Sequence, residues 1–90
     1  MPELSRFFGI IITMYAEIAG QHSRPHFHAR YQDFNVVIAI DEIEKLAGQF
    51  PIKQFRLVLA WAELHQEELI ENWGLLQQGK GISKIEPLKK

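Results

Sequence analysis

From His26 to Ile40 the chain alternates between apolar and polar positions. His26, His28 and Arg30 interleave with Phe27, Ala29 and Tyr31. After Gln32 and Asp33, residues Phe34, Val36, Ile38 and Ile40 interleave with Asn35, Val37 and Ala39. Successive side chains of a strand point to opposite sides, so this pattern predicts a hairpin. A two-residue turn sets Tyr31 opposite Phe34 and His28 opposite Val37. In that register Phe27, Ala29, Tyr31, Phe34, Val36, Ile38 and Ile40 form an apolar face. His26, His28, Arg30, Asn35, Val37 and Ala39 form a mixed one. A slip of one residue would destroy the match. Upstream, residues 7–15 are almost continuously apolar, with Ile10, Ile11 and Ile12 in succession. They predict one strand buried on both faces, with a bulge at Gly9. Residues 16–25 form a connection, and a short strand over 43–47 closes the sheet before Gly48.

Beyond Pro51, which suits a first helical position, the period changes. Phe55, Val58, Ala62, His65, Leu69, Trp73 and Leu76 recur at the three-and-four spacing of one helical face. The spacing predicts one helix from residue 52 to about residue 78, with a kink near Gly74. Together the elements predict an α+β fold, a meander of three to four antiparallel strands packed against one long C-terminal helix. Residues 1–90 form a single domain, and residues 79–90 are expected as an extended tail.

The 90-residue length allows one domain, and 47% hydrophobic residues exclude a disordered segment. A formal net charge of −1 argues against a duplex-coating basic protein. The chain has no cysteine, which excludes a disulfide scaffold, a thiol nucleophile and a thiolate metal site. The longest apolar runs fall far short of the ~18 residues of a membrane span. No signal-peptide pattern is visible, so a cytoplasmic location is expected. Small domains often gain stability by self-association, which makes a homodimer a further expectation.

Candidate chemistry concentrates at His26 and His28. Two histidines two apart on a strand project together. Imidazole can act as general acid or base near neutral pH, and Arg24, Arg30 and Arg6 could hold a phosphate nearby. A metal-independent ribonuclease using His26, His28 and Arg30 is therefore one expectation, with RNA as ligand and Tyr15 or Tyr31 available for stacking. The same pair could ligate zinc or another divalent metal. Two ligands are too few, and His22, His65, Asp41 or Glu17 would have to complete the set. The plainer reading is a pair of polar residues on the solvated side of a strand. No phosphate-binding glycine loop, dinucleotide fingerprint or zinc-protease motif is present. None of Ser5, Ser23 and Ser83 stands in a triad context.

The helix carries Glu63, Glu67 and Glu71 at a spacing of four, an acidic ridge with no lysine or arginine four residues away. A basic partner would relieve it, as would the tail lysines Lys80, Lys84, Lys89 and Lys90; a merely solvated face would serve as well. With Arg24, these three glutamates are the expected partner-binding residues. His65, on the apolar stripe, reads as a core or boundary histidine. Trp61 and Trp73 read as packing residues, with Trp73 a potential interface anchor.

Several segments resemble one small bacterial family. They are Ser5-Arg6-Phe7-Phe8-Gly9-Ile10, Arg24-Pro25-His26-Phe27-His28-Ala29, the helix stretch from Trp61 to Leu69 with Asn72-Trp73, and Lys84-Ile85-Glu86-Pro87-Leu88. The family is DUF4160, a domain of unknown function, and the resemblance covers essentially the whole chain. Family members typically carry two prolines before the first histidine, where Arg24 replaces one here. They also tend to have glycine in the hairpin that Gln32 and Asp33 form here. The resemblance implies a gene lying beside a second small domain, in an arrangement similar to toxin–antitoxin pairs. It assigns no reaction, and it puts His26 and His28 in the family's most characteristic motif. The leading expectation is a small interaction domain whose partner is a second small protein from an adjacent gene.

Overall fold

The computed structural model describes residues 3–15 and 24–89. Five strands, β1 (Glu3–Phe7), β2 (Ile10–Thr13), β3 (His26–Tyr31), β4 (Phe34–Ala39) and β5 (Glu44–Gln49), precede two helices, α1 (Ile52–Leu64) and α2 (Gln66–Gln77). The strands pair antiparallel in chain order. This corrects the expected three to four strands and single long helix.

The extra strand, β1, lies almost wholly ahead of the continuous apolar run, which supplies the turn and β2. Phe8 and Gly9 both take positive φ, 50° and 80°, as a two-residue hairpin turn matched to strand twist requires. Gly9 is thus a turn residue and not a bulge. The chain folds back there, pairing Phe7 with Ile10, Arg6 with Ile11 and Ser5 with Ile12. The β3–β4 register is the one that alternation predicts, with Tyr31 opposite Phe34 and His28 opposite Val37. The last strand runs past Gly48 to Gln49. A Cβ on Gly48 would stand 2.3 Å from the Asn35 carbonyl oxygen, and its φ of 93° suits glycine alone.

One face of the sheet carries the core. Ile10, Ile12, Phe27, Val36 and Ile38 are fully buried there, with Leu4 and Met14. Trp61 of α1 is fully buried against it, its ring centroid 5.5 Å from Phe7 and 5.8 Å from Phe27.

The predicted helix breaks at His65, where φ is −120° and ψ is 25°. The apolar spacing runs through the break, which is why periodicity alone reads one helix. A long-range anchor accompanies the break. The Gln66 side-chain amide donates to the carbonyls of Ile40 and Asp41, at 2.8 and 3.1 Å. It ties the first turn of α2 to the end of β4. Helix α2 runs through Gly74 and stops at Gly79, whose φ is 76°. The Lys80 N–H bonds the Leu75 carbonyl and the Gly79 N–H that of Leu76, a glycine-terminated helix end.

The segment after α2 packs back onto the fold. The Ser83 N–H donates to Asn72 Oδ1 at 2.6 Å, and Trp61 Nε1 donates to the Glu86 carbonyl at 2.8 Å. The Ile85 N–H bonds the Leu4 carbonyl at 2.9 Å, and Ile85 is buried. This lays the segment along the outer edge of β1. Lys89 pairs with Glu86, and Lys84 adds a small share to the lowering of the Glu3 pKa.

Candidate functional site on the open sheet face

Paired residues of antiparallel strands share a face, so the registers define rows across the second face of the sheet. One row holds Arg6, Ile11, Arg30, Asn35 and Gln49. The next holds Glu3, Thr13, His28, Val37 and Ala47. A third, short row holds His26, Ala39 and Glu44. The two histidines therefore project together, their ring centroids 5.4 Å apart.

Cover is graded along these rows. His26 and Ala39 are buried, and Trp73 of α2 packs 5.0 Å from the His26 ring. The His26 Nδ1–H donates to the Arg24 carbonyl at 3.0 Å, an assignment that follows from the carbonyl being an acceptor only. His28 is half-buried, with the Tyr15 ring edge-on at 4.8 Å. Arg30 and Asn35 are exposed. Glu3, Ile11, Thr13, Tyr15, His28, Arg30 and Asn35 surround a cavity of about 250 Å³. Thr13 Oγ1 donates to Tyr15 Oη at its wall, at 3.4 Å.

The arginines divide sharply. Arg24 Nε meets both Asp41 oxygens at 3.0 and 3.1 Å, and its Nη2 meets Glu44 at 2.6 Å. These hydrogen bonds raise the Arg24 pKa and hold the Asp41 carboxyl below its ordinary range. Asp41 also accepts from the Glu42 N–H. Arg6 is paired with Glu3 at 2.9 Å, which lowers the Glu3 pKa. Arg30 has no carboxylate within ion-pair distance among the described residues, only a 3.4 Å contact from Nε to the Gln32 carbonyl. Of the arginines expected beside the histidines, Arg30 alone stands without a carboxylate partner among the described residues.

Glu63, Glu67 and Glu71 are exposed. Glu67 and Glu71 lie about 200° around α2 from Leu69, on the side away from the sheet. His65 sits between the helices, its Nδ1 2.5 Å from Glu68 and its ring 5.5 Å from that of Trp61. No group of three or more histidine, aspartate or glutamate side chains among the described residues could hold a metal ion. His22 and Glu17 lie outside the described residues. Thr13, Glu3 and the cover from Trp73 escaped sequence reasoning, which placed Asn35 on this face without giving it a role. Reading Phe8-Gly9 as a hairpin turn would have brought Glu3 and Arg6 onto the rows.

A family model for a domain of unknown function, DUF4160, matches residues 9–74. The chain belongs to the DUF4160 family. The matched span of this DUF4160 chain holds His26, His28, Arg30, Asn35, all of α1 and α2 as far as Gly74, and omits β1 and the segment after α2. No curated protein and no solved structure matches it. No helix among its described residues is long and apolar enough to cross a membrane.

Proposed function

We propose that the protein is an interaction domain that works with the product of a neighbouring gene, and that the open sheet face is its binding surface. The observation that carries this reading is the uneven cover of the sheet. Trp61 packs on one face, whereas the rows through His28 and Arg30 meet solvent on the other. Helices normally bury a sheet face or leave a plainly polar one. This face is neither, since it mixes Ile11 and Val37 with Arg30, Asn35 and His28. A guanidinium with no carboxylate partner among the described residues, beside a half-buried imidazole, suits an acidic or carbonyl-rich partner surface. The acidic ridge at Glu63, Glu67 and Glu71 offers a second contact of opposite sign. Arg24, held by Asp41 and Glu44, ties the start of β3 to the β4–β5 connection and is not a direct contact. Co-expression with the adjacent gene product and affinity capture tests the reading. Arg30→Glu should abolish capture while leaving the melting temperature unchanged. Equal capture by that variant, or no complex with the wild-type chain, would reject it.

One observation favours a second reading, a metal-independent ribonuclease. His28 and Arg30 border the same cavity, so an imidazole and a guanidinium can reach one phosphate. His28 would accept the proton of the attacking ribose 2′-hydroxyl as its oxygen bonds to phosphorus and the bond to the 5′-oxygen breaks, the departing oxygen taking a proton from water, while Arg30 would hold the phosphate. His26, buried under Trp73, would position its neighbour. Incubation with RNA beside a His28→Ala variant decides it. Cleavage that survives in the double variant lacking both histidines rejects this assignment.

A further inference from the structure

The turn between β1 and β2 carries an aromatic residue where the backbone does not favour one. Phe8 takes a φ of 50°, a conformation that bulky side chains rarely adopt. Asparagine or glycine serves such a turn position better. The Phe8 ring is also 43% exposed, meeting Phe7 edge-on with the centroids 6.2 Å apart. Folding thus keeps both a strained backbone and an apolar ring in water at one residue. Strain retained at a surface position points to a role beyond packing.

The ring forms one wall of a hollow of about 410 Å³ where three segments meet. The first turns of α1 supply Lys53, Gln54 and Leu57, and the C-terminal segment supplies Leu88 and Lys89. Leu57 and Leu88 are half-buried and share the apolar lining with Phe8, whereas both lysines are exposed. Lys53 has no carboxylate within ion-pair distance among the described residues. Lys89 meets Glu86 at 3.2 Å in a largely exposed pair, a kind that contributes little. Glu86 is not part of the lining. The hollow therefore combines an apolar floor, one side-chain amide and two ammonium groups, and no carboxylate lines it.

We propose that this hollow binds a small amphiphilic anion, an apolar body bearing one carboxylate. Its volume falls within the roughly 300–1,000 Å³ of small-molecule sites, which are mainly apolar with a few placed polar groups. Charge selects the anion. A neutral hydrocarbon would cover Lys53 and Lys89 without pairing them, which is unfavourable. A carboxylate at the rim pairs with both while its apolar body covers Phe8, Leu57 and Leu88. The neighbouring strand edge argues for a free small molecule over a peptide. The C-terminal segment already lines the outer edge of β1, through the Ile85 N–H to Leu4 carbonyl bond, so an extended peptide finds no main-chain pairing there. None of the lining residues belongs to the rows through His28 and Arg30. The site is thus separate from the open sheet face and does not depend on the role assigned to that face.

Decanoate, kept below its micelle concentration, is the probe. Titrated into the isotope-labelled full chain, it should shift the amides of Phe8, Lys53, Gln54, Leu57 and Leu88 together and to saturation. Decanol lacks the charge and acetate lacks the apolar body; each should bind about tenfold more weakly or worse. Lys53→Glu and Lys89→Glu should each weaken decanoate about fivefold or more, with unchanged circular dichroism. Phe8→Asn puts a favoured residue in the turn. It should melt no lower than the wild-type chain while decanoate binding falls about tenfold or more. No saturable shift, or shifts centred on another surface, would overturn the proposal. So would equal binding of either control compound, or decanoate binding untouched by all three variants. A Phe8→Asn chain that melts lower and binds decanoate as before would show that the ring serves the fold alone, and equally overturns it.

Discussion

The indole of Trp73 lies 5.0 Å from the imidazole of His26, while His28, two residues on, faces Tyr15 and the open side of the sheet. Helix α2 thus divides a symmetrical-looking motif. One histidine becomes part of the packing and the other stays at the surface.

That contact makes Trp73 a clamp between α2 and the sheet. Trp73→Ala should destabilise the fold by about 3–5 kcal/mol, the usual cost of removing a buried tryptophan. Urea unfolding measures it. A loss under ~1 kcal/mol would mean that α2 docks by other contacts.

The break at His65 depends on an anchor that can be removed singly. Gln66→Ala deletes two hydrogen bonds to the carbonyls of Ile40 and Asp41. It should cost about 1–2 kcal/mol. Hydrogen exchange should speed up in the first turn of α2 and stay unchanged in the middle of α1. Uniform acceleration in both helices would show that they act as one unit.

The residues explain which parts of this fold were legible. The β3–β4 hairpin could be read because alternation and a two-residue turn leave one register for Phe27, Ala29 and Tyr31. The β1–β2 hairpin was hidden because Ile10, Ile11 and Ile12 interrupt alternation, and Phe8 is an unusual residue at positive φ. The helix break was hidden because its anchor, Gln66 to Ile40, is tertiary and leaves the apolar stripe intact. The final strap carries Ile82, Ile85 and Leu88 at a spacing of three among lysines, a sign of docking that composition alone masks. At the site, shared projection of His26 and His28 follows from strand geometry. Which of them is covered depends on Trp73, 45 or more residues away in sequence.

Acid should weaken the tie between Arg24 and Asp41. Asp41 titrates below its ordinary value of 3.8 because Arg24 donates to it. A carboxyl with a lowered folded pKa contributes stability above its unfolded value, and that contribution is lost as pH falls through the lowered folded value. Glu3 behaves alike through Arg6. Unfolding midpoints followed from about pH 6 to about pH 2 should fall more steeply for the wild-type chain than for Asp41→Asn. Parallel curves would show the ion pair to be inert.

Backbone geometry gives a pair of opposite predictions. Gly48→Ala must accommodate a Cβ 2.3 Å from the Asn35 oxygen at a φ of 93°, and should lose about 2 kcal/mol or more. Gln32 holds a φ of 55° in an exposed turn. Gln32→Gly relieves that strain and should gain about 0.5 kcal/mol, a rise of a few degrees in Tm. The same sign for both would contradict the turn geometry.

The most direct test of the open-face account is backbone amide mapping by nuclear magnetic resonance, with the neighbouring gene product titrated into labelled protein. The account predicts shifts clustered on Ile11, Thr13, His28, Arg30 and Asn35, all erased by Arg30→Glu. Shifts confined to α1 and α2, with these strand positions unmoved, would contradict it.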